Sequence, residues 1–534
     1  MSDNTNAYYA VNTSDLYERS YYKWLVLAVV MLGTFISVLD ASIVNVAMPK
    51  MMAAFSVSVD KIEWVLTVYL LVRSVIFPSS GWIADHLGYK STYNLGLILF
   101  TLGSLLCSLA VNENMLIFFR VIQGAGAGFI MPVGMAIITR EFPPEQRGFA
   151  LGFWGIAAAA SISLGPMFGG YLIDKFDWNA IFDINVPIGI VGVIAAWLIL
   201  KDYKIPRKGK FDMLGLLSMS VFLSALLLAL SDGNSAWNTG GWTSTFILTC
   251  FFIAFISFVV FLIREFSTEN PILDLRILKN RNFGLSNIMF FIFGLAFFGN
   301  SFLLPIYLQN SLGYTALQAG LVFFPVGIIQ AIMSPVAGKM TDKLNPKIPI
   351  SIGIVLTFLS MYLYKDLNLH TEYGAIMLPL IIRGFGLGFM FIPLSTIAIN
   401  DIPKEKMAQA TGLFNTIRQV GGSFGVAILG TFLTRRILYH KEMYSQAVDQ
   451  NSATFKHIEH GLQYFVQHSV GGTGSSIALR AKALIGMNLG NQAFVRGIAD
   501  DFLAGAAITV LIIIPLFFLK YNKKKKAQRT EIGE

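Results

Sequence analysis

The 534-residue chain is poor in charge and nearly without cysteine, and both shortages narrow what it can be. Only 13% of its residues are Asp, Glu, Lys or Arg, against roughly 25% in a soluble domain. By contrast 55% are hydrophobic, and the mean hydropathy is +0.62. A soluble assembly of this length is excluded. The two cysteines, Cys107 and Cys250, lie in apolar runs and read as small buried side chains rather than redox or metal-binding groups, so no disulfide framework is implied. No nucleophile–base pair, metal cluster or nucleotide-binding loop occurs, so no enzyme activity, cofactor or metal is expected. The first twenty or so residues are polar and lack a short apolar core with a small-residue cleavage site, so no cleaved signal peptide is expected.

What is present is a series of apolar stretches of the length that crosses ~30 Å of hydrocarbon at ~1.5 Å per residue. They fall at 24–48, 62–83, 91–110, 115–139, 149–172, 184–200, 212–231, 244–263, 284–308, 317–338, 347–366, 374–399, 410–433 and 502–519. Fourteen such stretches predict an all-α membrane protein and exclude a β-barrel, whose signal is alternation over ~10 residues. The basic residues set orientation rather than marking a nucleic-acid surface. Of the 40 Lys and Arg, 25 fall on the side carrying both termini, whereas the short connectors opposite carry only Lys50, Lys61, Lys175 and Lys365. The positive-inside rule then puts both termini in the cytoplasm. The basic tail 520–534 reads as a cytoplasmic stop that contacts anionic lipid.

The sequence also repeats itself. Pro78, Gly81 and Asp85 after the second stretch match Pro335, Gly338 and Asp342 after the tenth, 257 positions on (338 less 81). Gly124-Ala-Gly-Ala-Gly-Phe129 matches Gly384-Phe-Gly-Leu-Gly-Phe389, 260 positions on (384 less 124), and the turns that follow match at the same spacing. The expected organisation is therefore a six-helix half over 1–200, a linker with two inserted helices over 201–270, and a second six-helix half over 271–519. That second half includes an extracytoplasmic loop, 434–501. Two parallel halves that rock about a midplane site are the architecture of alternating access.

The motifs LDASIVNVAMP (39–49), GWIADHLGYKS (81–91), RVIQGAGAGF (120–129), FPPEQRG (142–148), GPMFGG (165–170), FDINVPIG (182–189), NPILDLRILKNRNF (270–283) and RQVGGSFG (418–425) cover most of the chain. With them the chain resembles the fourteen-helix drug:proton antiporters of the major facilitator superfamily, of the EmrB/QacA type and most like the EmrB subgroup. The resemblance implies gating roles for Gly81, Asp85, Gly88 and Lys90 at the second turn. For Gly165, Pro166, Gly169 and Gly170 of helix 5 it implies an antiporter signature that keeps the path from leaking. Physically, Gly81 and Gly88 permit a tight turn, Asp85 is placed to cap a helix or pair with a base, and the helix 5 glycines allow close helix approach.

Proton coupling needs a buried titratable group, and of 31 Asp and Glu only Asp40 lies well inside a stretch, with Glu63, Asp183, Asp212 and Asp366 at boundaries. A carboxylate at the bilayer centre costs about 2.5–3.5 kcal/mol on insertion scales and usually marks an ion pathway. Arg120 fills the basic position that the resemblance places near this acid. Arg73, Arg383 and Arg418 also fall inside stretches. Arg73 is open to three readings: pairing with Asp40, binding an anionic group, or snorkelling to an interface. Candidate substrate-binding residues are Asn45, Tyr69, Arg73, Gln123, Trp154, Asn300, Tyr307, Gln330 and Asn415.

The expected function is export of amphipathic drugs or toxic compounds from the cytoplasm or inner leaflet in exchange for protons. The alternative is a lipid, fatty acid or other anionic amphiphile carried by the same fold. Expected partners are the lipophilic substrate, protons and membrane lipids, with no nucleic acid. The resemblance adds a periplasmic membrane-fusion protein where the cell has an outer membrane.

Overall fold

The computed structural model describes residues 21–203, 212–235, 237–268, 271–301, 303–449, 451–469 and 474–520. The basic run Lys523 to Lys526 and residues 470–473 of the glycine-rich stretch lie outside them. The apolar stretches become α1 (Tyr22–Phe55), α2 (Lys61–Leu87), α3 (Tyr89–Ser108), α4 (Glu113–Glu141), α5 (Arg147–Lys175) and α6 (Ala180–Ile199) in the first half. The inserted pair is α7 (Met213–Asp232) and α8 (Thr245–Ser267). The second half holds α9 (Arg281–Asn310), α10 (Leu317–Lys343), α11 (Lys347–Asp366), α12 (Tyr373–Asn400), α13 (Met407–Ala447), α14 (Ala453–Ser469) and α15 (Gly474–Phe518). Thirteen of these are long and apolar enough to cross a membrane. α13, with Arg418 and a polar outer third, is less apolar, but its 41 residues extend about 60 Å at 1.5 Å per residue.

Backbone polar groups cannot be left bare in hydrocarbon, so the spans are helices. Side chains close their ends where water cannot: Asn112, Asp212 and Ser244 accept from Met115, Gly215 and Ile247 backbone N–H groups at 2.8, 3.1 and 3.3 Å. The packing pairs recur between halves. α1 lies on α5 as α9 lies on α13, α2 on α4 as α10 on α12, α3 on α4 as α11 on α12, and α3 on α6 as α11 on α15. The halves meet along α5–α10 and α2–α13, while α7 rests against α2 and α13 beside the seam. α8 packs chiefly on α7 and leaves most of its surface outward.

Within segment 434–501, expected as a loop, residues 434–447, 453–469 and 474–501 are helical. α13 continues to Ala447, α14 packs back on α15, and α15 starts at Gly474, so the last span is the end of a helix much longer than 502–519. Polar surface on a solvated helix looks like loop composition when only hydropathy is read. Arg436 and His440 of α13 both contact Asp500 of α15 at 2.6 Å, which fastens this extension.

Candidate functional site

Asp40 sits about 27 Å along α1 from Tyr22 at 1.5 Å per residue. Its Oδ2 accepts from Arg120 Nη1 at 2.5 Å, and neither side chain is exposed. Its Oδ1 accepts from Gln123 Nε2 at 2.8 Å and Asn185 Nδ2 at 3.0 Å, and both amides also donate to Ser104 Oγ, at 2.6 and 3.1 Å. Arg120 donates further to the Val65 carbonyl at 3.0 Å and to Gln123 Oε1 at 2.7 Å, and its guanidinium lies 4.1 Å from the Tyr69 ring centre. Local sequence allows this crowding: a Cβ on Gly103 of α3 would come within 2.6 Å of the Gln123 backbone N. A buried pair of this kind is weak evidence of stability, but removing one partner strands the other, at about 3–5 kcal/mol. Arg120 Nη2 and Asn185 Oδ1 have no hydrogen-bond partner, so the network is tight without being saturated.

A second set of contacts closes the face that carries the termini. Asp342 of α10 accepts from the Gly148 and Phe149 backbone N–H groups of α5 at 3.0 and 2.9 Å. An anion at a helix N-terminus is favoured by the free N–H groups and the helix dipole. Because α5 and α10 belong to opposite halves, these bonds tie the halves together at this face. Glycine at both crossings permits the approach. A Cβ on Gly81 would meet Gln409 N at 2.6 Å, and one on Gly338 would meet Phe149 N at 3.0 Å. Gln409 is the repeat equivalent of Phe149 (409 less 149 is 260), so the two crossings are related by the duplication. Asp85, singled out from the sequence, accepts from Tyr89 OH of its own half at 3.0 Å. The Arg140 guanidinium lies 4.8 Å from the Tyr89 ring and 4.7 Å from that of Tyr203. Burial pushes the Tyr203 phenol up, helped by its 2.5 Å hydrogen bond to Glu141. Gly88 has φ +100°, the left-handed region glycine favours, and packs against the Asp202 carboxylate. Lys90 Nζ is 5.4 Å from the Trp197 ring centre.

The GPMFGG motif divides between two neighbours. Gly165 and Gly169 face Ser42 and Ile43 of α1, with prospective Cβ contacts of 2.6 Å to Ser42 Cβ and 2.9 Å to Ile43 Cγ1. Pro166 and Gly170 instead face Gly320 and Leu317 of α10, across the seam between halves.

The nine candidate binding residues separate. Tyr69 and Gln123 belong to the Asp40 cluster. Arg73, Trp154 and Asn415 stand at the seam: Trp154 donates to Thr34 Oγ1 at 2.8 Å and stacks 6.3 Å from Phe391 of the other half, and Asn415 accepts from Arg418 at 3.1 Å. Asn300 packs against Gly505, and Tyr307 donates to the Asn368 carbonyl at 2.5 Å, so both serve packing of the second half. Asn45 is exposed and donates to the carbonyl of Ala41, and Gln330 is half-buried on α10. Three residues escape a reading of the sequence. Asn185 and Ser104 are neutral and lie at or near helix ends, where polar residues are ordinary, although Asn185 stands in the quoted FDINVPIG. Asp501 of α15 is fully buried with neither oxygen hydrogen-bonded, next to Asp500, which pairs with Arg436 and His440. The expected last span begins at 502, one residue beyond it. Among the described residues no group of three or more His, Cys, Asp or Glu could hold a metal.

Known proteins share sequence or fold with this chain. The model of the Major Facilitator Superfamily matches residues 30–212 and 206–426. The multidrug export protein EmrB of Escherichia coli is 30% identical over 493 residues, covering 92% of this chain and 94% of that protein. The fatty acid resistance protein FarB of Neisseria gonorrhoeae is 29% identical over 490 residues, covering 91% and 94%. Among solved structures, the human organic anion transporter MFSD10 superposes with a TM-score of 0.61 at 12% identity, over 92% of this chain and 99% of that one.

Proposed function

The chain belongs to the major facilitator superfamily, and from that premise we propose that it is a proton-coupled antiporter that exports amphipathic compounds from the cytoplasm or inner leaflet by alternating access. The observation that carries this reading is the fully buried Asp40–Arg120 pair. When the site opens to the outside, a proton arriving on Asp40 cancels its charge and releases Arg120 from it. When the site opens inward, the proton leaves and the pair re-forms. The coupling element is thus an ion pair whose making and breaking is tied to which face is open. Gln123 and Asn185 hold the carboxylate in place between these events.

The positive-inside count puts the termini, and so the closed face, in the cytoplasm, in a multi-pass inner-membrane protein. The Asp342 bonds to α5 and the two glycine crossings then form the inner gate, which opens for substrate entry. Gly81, Asp85, Gly88 and Lys90 set the α2–α3 turn on which that gate moves. Gly165 and Gly169 keep α5 tight on α1 as the halves rock, while Pro166 and Gly170 bear on α10. One proton exchanged for a monovalent cation moves no net charge, whereas one exchanged for a neutral compound moves one, adding about 2.3 kcal/mol per 100 mV. A membrane-fusion partner belongs to this reading only in a cell with an outer membrane.

The alternative, an anionic amphiphile, is favoured by one observation: Arg73, Arg383 and Arg418 have no carboxylate within ion-pair distance among the described residues. The name of FarB agrees with it. The deciding experiment is flux of labelled dodecyl compounds into inverted vesicles or proteoliposomes under an imposed pH gradient. Uphill accumulation that collapses with the gradient is expected. Accumulation indifferent to the gradient removes the proton from the mechanism.

A further inference from the structure

Arg73 of α2 lies about 18 Å along the helix axis from Lys61 and about 21 Å from Leu87, and Arg418 about 16 Å from the start of α13, at 1.5 Å per residue. Neither side chain can reach an interface from that depth, so snorkelling does not account for them. Each guanidinium has one face over a ring: Arg73 lies 5.2 Å from the Phe77 centre and Arg418 5.2 Å from that of Phe391. Ring contact, Met131 Sδ and Tyr69 for Arg73, and Asn415 Oδ1 for Arg418, leave the Nε of both without a hydrogen bond. The two cations are near enough to repel each other. Asp40 also acts on Arg73, but its carboxylate is already held by Arg120.

Two buried cations on helices that pack across the seam, each with an unbonded Nε–H and no carboxylate in ion-pair distance among the described residues, are short of one anion. We propose that Arg73 and Arg418 clamp the anionic headgroup of an amphiphile, one arginine from each half, with the tail running past Met131, Trp154 and Phe391. The Nε–Nη edge of a guanidinium matches the two oxygens of a carboxylate, or two of a sulfate or phosphate, and rings and thioether suit a chain of no fixed shape. Because the arginines belong to different halves, the bound anion turns a repulsion across the seam into an attraction. Loading the site therefore favours the halves closing around it. Tyr69, one helical turn before Arg73 and stacked under Arg120, joins this clamp to the proton site. The inference rests on the exporter reading and names its substrate class.

The test uses the full chain in lipid nanodiscs and three probes with one tail: dodecanoate, dodecanol and dodecyltrimethylammonium, with binding followed by calorimetry. Dodecanoate should bind at least about tenfold more tightly than the other two. Arg73→Gln, which copies the repeat equivalent Gln330, and Arg418→Gln should each cut dodecanoate affinity at least about tenfold. Both should leave dodecanol affinity unchanged, which also shows that the variants are folded. Arg418→Lys, which keeps the charge but not the fork, should fall between. Equal binding of the three probes, or full dodecanoate affinity in both glutamine variants, overturns the clamp. Competition by dodecyl phosphate as strong as by dodecanoate leaves the clamp standing and widens the headgroup class. If the wild type exports dodecyltrimethylammonium uphill while dodecanoate does not bind, the clamp fails and the exporter reading stands. If none of the three is moved although dodecanoate binds through both arginines, the exporter reading fails alone.

Discussion

The two halves share one pattern of helix packing but not one chemistry. In the first half Gln123 of α4 donates to Asp40 of α1, and Arg120 one turn away neutralises that acid. At the equivalent of Gln123 the second half has Arg383 of α12, 5.3 Å from the Phe297 ring and donating to Ser301 Oγ at 3.3 Å, both on α9, with no carboxylate in ion-pair distance among the described residues. A fully buried acid of the second half, Asp501, is on α15 and forms no ion pair with Arg383. Duplication preserved the packing scaffold while the charges diverged. One half holds an acid neutralised by an arginine, and the other holds a cation and an acid that do not pair.

The largest effect should come from the acid of the first half. Asp40→Asn mimics the permanently protonated state and should still bind substrate, yet abolish uphill export in vesicles under a pH gradient, since no deprotonation remains to couple. Asp501→Asn should retain uphill export. If the two variants fail equally, the asymmetry is broken and at least two protons move per cycle. If Asp40→Asn exports uphill undiminished, suspicion moves to the boundary carboxylates Asp183 and Glu63.

The gate comparison comes next. Asp342→Ala removes a cap that exists only between halves and should cost the closed state about 1 kcal/mol, lowering its population several-fold. Spin labels at Glu145 and Lys343 should report longer distances and turnover should change, with substrate affinity little altered. Asp85→Ala, which removes the repeat equivalent of Asp342, should shift those distances as well. A strong loss of affinity with normal turnover in either variant contradicts a gating role. Within the proton network, Asn185→Ala should lose one hydrogen bond to a charged group, about 1.5 kcal/mol or roughly tenfold in export, short of the Asp40→Asn effect. An unchanged rate makes Asn185 a packing residue.

What can be read in the sequence follows from contrast. A charge in an apolar run is conspicuous, so the spans, the repeat, Asp40, Arg120 and the seam arginines are all visible before the fold. Neutral polar residues carry no such contrast, and Asn185 and Ser104 do not stand out. Helical faces are harder still. Asn300 and Tyr307 have the composition of cavity residues, but a series of spans does not say which side of α9 meets α15, and both are packing residues. Asp85 and Asp342 are equals in the repeat, and that Asp342 accepts from α5 across the seam is visible only in the fold. Polar residues between 434 and 501 conceal helices because no bilayer requires those helices to be apolar.

The smallest expected effect tests the comparison at its origin. Arg383→Gln gives the second half the side chain that the first half has at the equivalent place. Arg383 is only 3% exposed, and its Nη1 has no hydrogen-bond partner. Holding an uncompensated cation there costs about 2.5–3.5 kcal/mol on insertion scales, and its ring contact returns about 2 kcal/mol when desolvated. The difference predicts that the glutamine variant is at least as stable as the wild type, with a small rise in melting temperature and proton coupling intact. The introduced amide can still donate toward Ser301, so the polar contact to α9 has a replacement. Were the variant less stable, the Phe297 contact would outweigh desolvation and Arg383 would be structural. Were it more stable but unable to export, Arg383 would be a retained functional cation, and the second half would contribute chemistry as well as scaffold to the cycle.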